Sequence, residues 1–151
     1  MHRLPTLRFT RLGRVVVLVH RTQAPSDEDW EAYVDGVWSL DQHHAETRTL
    51  VLTDGAGPNA LQRGVLIDRV ESSGSGLSAI VSGSKKARLI LTAISWFVAD
   101  LKFFRPDELS SAFAFLELEA DEKENTLDAA LELLDDGWAP QWERRLRGLR
   151  G

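Results

Sequence analysis

The 151-residue sequence contains no cysteine. This absence excludes disulfide bonds, thiolate catalysis and cysteine-ligated zinc, and it is compatible with a reducing compartment. Long apolar runs are missing too, because the first one, at residues 15–19, is too short for a signal peptide and far below the ~18 residues of a membrane span. We therefore expect a cytoplasmic protein with no membrane span.

An excess of positive charge is also absent. The 18 Lys and Arg residues are outnumbered by 23 Asp and Glu residues, and the net charge is −5. Nucleic-acid-binding domains usually present a basic face, so no nucleic-acid partner is expected. The apolar fraction of 43% is nevertheless ordinary for a chain that buries a core.

Patterns typical of catalysis are scarce. Gly-x-Ser-x-Gly and P-loop patterns do not occur. His43 and His44 are adjacent, so on a helix they point in different directions and cannot share a metal as residues at i and i+4 would. The sequence therefore predicts no catalytic residue, no metal site and no cofactor.

Strand and helix patterns alternate along the chain. Residues 15–19 are continuous and mostly β-branched, as in a strand buried on both faces. Ser26 followed by three acidic residues predicts the start of a helix, which we extend to about His43. The other predicted strands are 6–12, 47–53, 77–81 and 101–104, and the other predicted helices are 60–72, 85–98, one opening at 106, 127–134 and 140–149. Because parallel strands need crossover connections, this order predicts an α/β fold with a mixed, mostly parallel sheet of about five strands and about four helices, plus a C-terminal helical tail.

The acidic stretch near residues 120–125 is the predicted boundary between an α/β domain at 1–120 and a helical extension at 121–151. In the extension, Trp138, Trp142 and Leu146 share one helical face beside several arginines. This pattern favours docking on the domain, with a membrane surface or an acidic partner as alternatives.

The helix at 87–98 is apolar nearly all round, which indicates burial on more than one side. The tail, a second copy of the chain in a homodimer and a lipid are the candidates for its cover.

Four local stretches are notable: SDEDW at 26–30, LVLTDGAGPNALQR at 50–63, AIVSGS at 79–84, and LKFF at 101–104 with the helix that follows it. Together with the order of elements, they resemble the STAS-like, anti-sigma-factor-antagonist-like (SEC14-like) superfamily. The resemblance covers about residues 7–118 and implies a STAS-like fold that acts by protein–protein contact, in some members switched by phosphorylation of a Ser or Thr after the central strand. This chain has Gly-Ala-Gly-Pro there, at 55–58, so the phospho-switch is not carried over.

The loop at 54–59 follows the central strand, where α/β proteins bind ligands. Its candidate contact residues are Asp54, Gly55, Gly57, Pro58 and Asn59, and they continue into the next helix with Gln62 and Arg63. The pattern favours a tight structural connection, and a partner-contact surface or an anion site are the alternatives.

The second candidate loop, at 82–86, contributes Ser82, Ser84 and Lys85. Ser84 is suited to cap the following helix, and two lysines in the first turn oppose the helix dipole. Such a helix end can receive an anion, a phosphate or an acidic partner, although the pattern favours two solvated lysines.

The leading functional hypothesis is a non-enzymatic interaction module that regulates an unidentified protein partner by binding alone. Its contact surface is the edge formed by the two loops and the start of the helix between them. The second hypothesis is a small-molecule or lipid carrier that uses the helix 87–98 as a pocket wall. The third is an enzyme of unknown reaction.

Overall fold

The computed structural model describes residues 5–38, 46–55, 57–73, 76–86, 88–89 and 100–150. Within these ranges the chain folds around one sheet with the strand order β1-β2-β3-β4-β5. The strands are β1 (Leu7–Leu12), β2 (Val15–His20), β3 (Arg48–Thr53), β4 (Leu77–Val81) and β5 (Leu101–Phe104). The helices are α1 (Asp27–Val37), α2 (Ala60–Ser73), α3 (Leu109–Phe115), α4 (Ala120–Leu134) and α5 (Pro140–Arg150), with a 3₁₀ turn at Pro106–Glu108 and a further helix that begins at Lys85.

The sheet is mixed and mostly parallel. β1 pairs antiparallel with β2, and the three other pairings are parallel. The predicted α/β class and sheet type are thereby confirmed. All six residues of β2 are buried, because this strand is covered on both faces, as its β-branched run predicts.

Alternate residues of β2 enter two separate cores, since successive side chains of a strand point to opposite faces. On one face, Val16 and Leu18 pack with the buried aromatic residues of α1 and with Val70 of α2. On the other face, Val17 and Val19 share a core with α3, α4 and α5. The C-terminal helices therefore cover the face of the sheet that α1 and α2 leave open.

The tail is held to the sheet by core and surface contacts together. Trp142 and Leu146 of α5 are fully buried. Arg8 of β1 donates to both carboxylate oxygens of Asp136 at 2.8 Å, and its guanidinium carbon lies 4.8 Å from the centroid of the Trp138 ring. The prediction that the tail, a second copy or a lipid covers the helix 87–98 stays a prediction, because all but two residues of that helix lie outside the described ranges.

Two predicted helix boundaries are wrong. α4 begins at Ala120 and not at 127, because Glu119 and Glu122 form a reciprocal capping box in which the Glu119 N–H donates to Glu122 Oε1 at 2.9 Å. The acidic run belongs to the helix and not to a break before it, because acids in the first turn stabilise a helix. α1 ends at Val37 and not at about residue 43. None of the helices within the described ranges is long and apolar enough to cross a bilayer.

Candidate functional site

The two predicted loops lie side by side. β3 and β4 are parallel neighbours, so their carboxyl ends reach the same edge of the sheet. A Cβ placed on Gly55 would lie 3.5 Å from both the Cβ and the Oγ of Ser84. Gly55 has a φ of +116°, which residues with a side chain rarely adopt, so glycine is needed at this close approach. The loop after β5 joins the pair, because a Cβ on Gly83 would lie 3.6 Å from Pro106 Cγ.

A pocket of about 560 Å³ opens where the loops after β4 and β5 meet. Four cationic side chains line it: Lys85 and Arg88 from the helix after β4, Arg105 from the loop after β5, and Arg145 from α5. Among the lining residues that the structure describes, Asp107 is the only carboxylate. The pocket is therefore strongly positive in a chain whose net charge is negative.

Contacts inside the pocket hold two of these cations in place. The Arg88 guanidinium carbon lies 4.8 Å from the centroid of the Phe103 ring, within the range of a cation–π contact. Arg105 Nε lies 3.4 Å from Asp107 Oδ1 and 3.5 Å from Glu108 Oε1. Lys85 and Arg145 are exposed, and neither forms an ion pair with any residue of the described ranges.

The two serines of this loop shape its backbone. Ser82 is only 1% exposed, its N–H donates to the Phe104 carbonyl at 3.0 Å, and its Oγ accepts from the Ser84 N–H at 3.1 Å. The Ser84 carbonyl accepts from the Arg88 N–H at 3.2 Å, so the helix begins at the predicted position. The hydroxyl of Ser82 is therefore engaged within the loop.

Asp54, in the first loop, lies against the tail and does not line the pocket. Gln141 Nε2 of α5 donates to its Oδ1 at 3.3 Å. Burial raises the pKa of Asp54, and the Trp142 indole and the Arg21 guanidinium oppose that rise.

Asn59 and Gln62 form the N-terminal cap of α2. The Gln62 N–H donates to Asn59 Oδ1, and the Asn59 N–H donates to Gln62 Oε1, both at 2.9 Å. Gln62 Nε2 also donates to the Pro25 carbonyl at 3.0 Å and to Asp27 Oδ1 at 2.9 Å. Gln62 is only 4% exposed, so it fastens α2 to the start of α1 and does not itself form an outer surface.

The remaining predicted residues also serve this connection. Arg63 Nη1 donates to the carbonyl of Pro58 at 2.9 Å, and Pro58 is buried. Gly57 is partly exposed and has open space around its Cα. Of the ten predicted residues, only Ser82, Ser84 and Lys85 line the pocket. Asp54 and Gly55 lie next to that loop and the tail, and the others secure α2.

His20 lies at the same edge of the sheet, at the end of β2. It is 3% exposed, and its Nδ1 has no hydrogen-bonding partner. Its ring stacks on Trp30 with the centroids 6.3 Å apart and the planes at 27°. Burial lowers the pKa of His20 to about 4, so the imidazole is neutral near pH 7.

Sequence reasoning missed Arg88, Arg105, Asp107 and Arg145. Arg105 directly follows a strand parallel to β4, so the rule that gathers such loops at one edge could have found it. Arg145 has no comparable pattern, because it reaches the pocket only through the docking of α5.

The described ranges contain no group of three or more His, Asp or Glu side chains that could hold a metal ion. The chemistry of the site therefore has to be inferred from its cations and its shape. A scan against protein-family models, a search of curated proteins and a search of solved structures each found no match for this chain.

Proposed function

We propose that this chain is a STAS-like, non-enzymatic module that regulates a partner protein by binding an anionic segment of it. The observation that carries the proposal is the convergence of cations on one pocket: its described residues include four cations from three separate elements and a single carboxylate. In a chain with a net charge of −5, such a local excess of positive charge suits a negatively charged partner. A cytoplasmic location, with which the cysteine-free sequence is compatible, belongs to the same proposal.

The exposure of these cations supports contact with a partner. The Arg105 side chain is 63% exposed and that of Asp107 is 71% exposed. An exposed ion pair of this kind contributes only about 0–1 kcal/mol to stability. A carboxylate or phosphate from a partner can therefore displace Asp107 from Arg105 at small cost to the fold.

The proposal assigns no reaction to the pocket. A serine nucleophile needs a base within hydrogen-bonding reach. The Ser82 hydroxyl instead accepts from a backbone N–H. The lining residues within the described ranges include no histidine, and their one carboxylate lies beside Arg105. Recognition by charge and shape is the function that these side chains support.

The test compares partner capture by three versions of the full chain: wild type, the pocket variant R105Q/R145Q and the matched control R144Q/R147Q. Each double variant removes two positive charges, and the control residues lie on α5 outside the pocket lining. Cross-linking in a lysate followed by mass spectrometry should identify a partner held by the wild type and the control and lost by the pocket variant. The capture should also weaken as ionic strength rises.

Two outcomes would contradict the proposal. One is that all three versions enrich the same proteins to the same extent. The other is that the wild type enriches no protein above a bare-resin control.

A further inference from the structure

We propose that the pocket selects a phosphorylated side chain of the partner over an acidic one, an inference that rests on the proposed function. A carboxylate is planar and has two oxygens, which a single arginine satisfies in a bidentate pair. A phosphate monoester carries about −1.5 to −2 charges at pH 7 and three acceptor oxygens. Four cations around one pocket exceed what a carboxylate can use and match what a phosphate can accept.

The origin of the cations in three separate elements favours a tetrahedral anion. Lys85 and Arg88 come from the helix after β4, Arg105 from the loop after β5, and Arg145 from α5. Cations supplied by separate elements can each reach a different oxygen of a phosphate, whereas the two oxygens of a carboxylate lie in one plane.

Part of the site is ordered before any ligand arrives. Arg88 rests on the Phe103 ring, and Arg105 lies beside Asp107 and Glu108. Fixing these side chains in the unbound protein reduces the entropy lost on binding. Lys85 has a long, flexible side chain, which can move to contact the bound phosphate.

The size of the pocket indicates that a phosphate is only part of the ligand. Its volume of about 560 Å³ falls in the range of about 300–1,000 Å³ that is typical of sites for organic ligands. An isolated phosphate ion would leave most of this space to water. A phosphorylated side chain together with a flanking residue fills it better.

Calorimetry on the full chain provides the direct test. The probes are the blocked peptide acetyl-Ala-phosphoserine-Ala-amide, the same peptide with glutamate in the central position, and inorganic phosphate. We expect the phosphopeptide to bind at least about tenfold more tightly than either other probe, since one additional charged hydrogen bond is worth about that factor. R105Q/R145Q should weaken phosphopeptide binding by at least about tenfold, and R144Q/R147Q should leave it unchanged.

A phosphopeptide that binds no more tightly than the glutamate peptide, or equally well to the pocket variant, would overturn the inference. Inorganic phosphate binding as tightly as the phosphopeptide would overturn the assignment to a side chain. Phosphatidylcholine vesicles that contain phosphatidic acid test a lipid headgroup as the ligand. If the chain binds these vesicles and not the phosphopeptide, the ligand is a membrane headgroup and the inference of a phosphorylated side chain is overturned.

Phosphatase treatment of the lysate separates this inference from the proposed function. We expect the capture by the wild type to disappear after treatment. If the partner is still captured after phosphatase treatment but is lost in R105Q/R145Q, phosphate selectivity is overturned and the proposed function as an interaction module is supported. Tight phosphopeptide binding without any captured partner would support phosphate selectivity and contradict the proposed function.

Discussion

The two edges of the sheet differ in whether their cationic side chains are paired with carboxylates. At the amino-terminal edge, just before β2, Arg14 donates to both carboxylate oxygens of Glu122 at 2.7 and 2.8 Å. The Arg14 hydrogen bonds lower the pKa of Glu122 to about 2, and Arg48 adds to that effect. At the carboxyl-terminal edge, Lys85 and Arg145 lie beside other cations without an acidic partner in the described ranges.

This difference separates charges that serve the fold from charges that serve a ligand. Arg14 and Glu122 join the β1–β2 hairpin to the start of α4, so each compensates the other within the folded chain. The pocket cations repel one another, Asp107 and Glu108 offset the charge of Arg105, and a bound anion would relieve the repulsion that is left. The comparison therefore predicts different consequences for mutations at the two edges.

The largest expected effect concerns the tail that carries Arg145 to the carboxyl-terminal edge. Trp142 is fully buried in the core between the sheet and α5. Trp142→Ala should lower the free energy of unfolding by about 3–5 kcal/mol, because it removes a large buried ring and leaves a cavity. Urea denaturation followed by circular dichroism measures this loss.

Trp142→Phe is the matched control. It keeps an aromatic ring in the core and leaves a smaller cavity than alanine does, so it should cost less than Trp142→Ala. If Trp142→Ala unfolds at the same urea concentration as the wild type, core packing of the tail does not place Arg145 at the pocket. The comparison of the two edges would then lack its structural explanation.

The second effect concerns His20, which keeps the carboxyl-terminal edge from gaining a further cation. The unfolded chain takes up this proton near pH 6.5, whereas burial in the folded chain lowers the pKa to about 4. The free energy of unfolding should therefore fall as the pH drops from 6.5 to 4, with His20 contributing about 3 kcal/mol. Denaturation curves of wild type and His20→Phe across this window measure that contribution.

His20→Phe preserves a ring against Trp30 and leaves every carboxylate in place, so the difference between the two pH profiles isolates His20. The variant should lose less stability than the wild type between pH 6.5 and 4. Parallel profiles would mean that His20 is protonated as easily in the folded chain as in the unfolded one.

Features that depend on residues close together in the sequence could be predicted, and features that depend on contacts between distant segments could not. The β-branched run of β2 and the turn before α2 act locally, and both elements form where their patterns place them. The meeting of Gly55 with Ser84 follows from parallel pairing of adjacent strands, so the neighbourhood of the two loops was also predictable. The arrival of Arg145 depends on packing between α5 and pocket segments that lie 38 to 63 residues earlier in the chain, and no local pattern encodes it.

The third effect belongs to the amino-terminal edge. Glu122→Gln should lower the free energy of unfolding by roughly 1 kcal/mol at pH 7, the upper end for a partly exposed ion pair. The pKa of Glu122 is lowered to about 2 from an ordinary value of 4.5, so the stabilisation is present above pH 4.5 and is lost as the pH falls to 2. Thermal denaturation at pH 7 and pH 2 measures both points.

Glu124→Gln, on an exposed position of the same helix, is the control and should change little. Equal losses in Glu122→Gln and Glu124→Gln would mean that the pairing with Arg14 adds nothing beyond the general charge of α4.

The smallest effect on stability is expected where the proposed effect on binding is largest. Lys85→Gln and Arg145→Gln should each change the free energy of unfolding by less than about 0.5 kcal/mol, because both side chains are exposed and neither forms an ion pair within the part of the chain that the structure describes. Added phosphopeptide should raise the melting temperature of the wild type, since a ligand bound only by the folded chain stabilises it, and should raise that of Arg145→Gln less. If Arg145→Gln destabilises the chain as much as Glu122→Gln does, its charge serves the fold, and the two edges of the sheet do not differ in the way proposed.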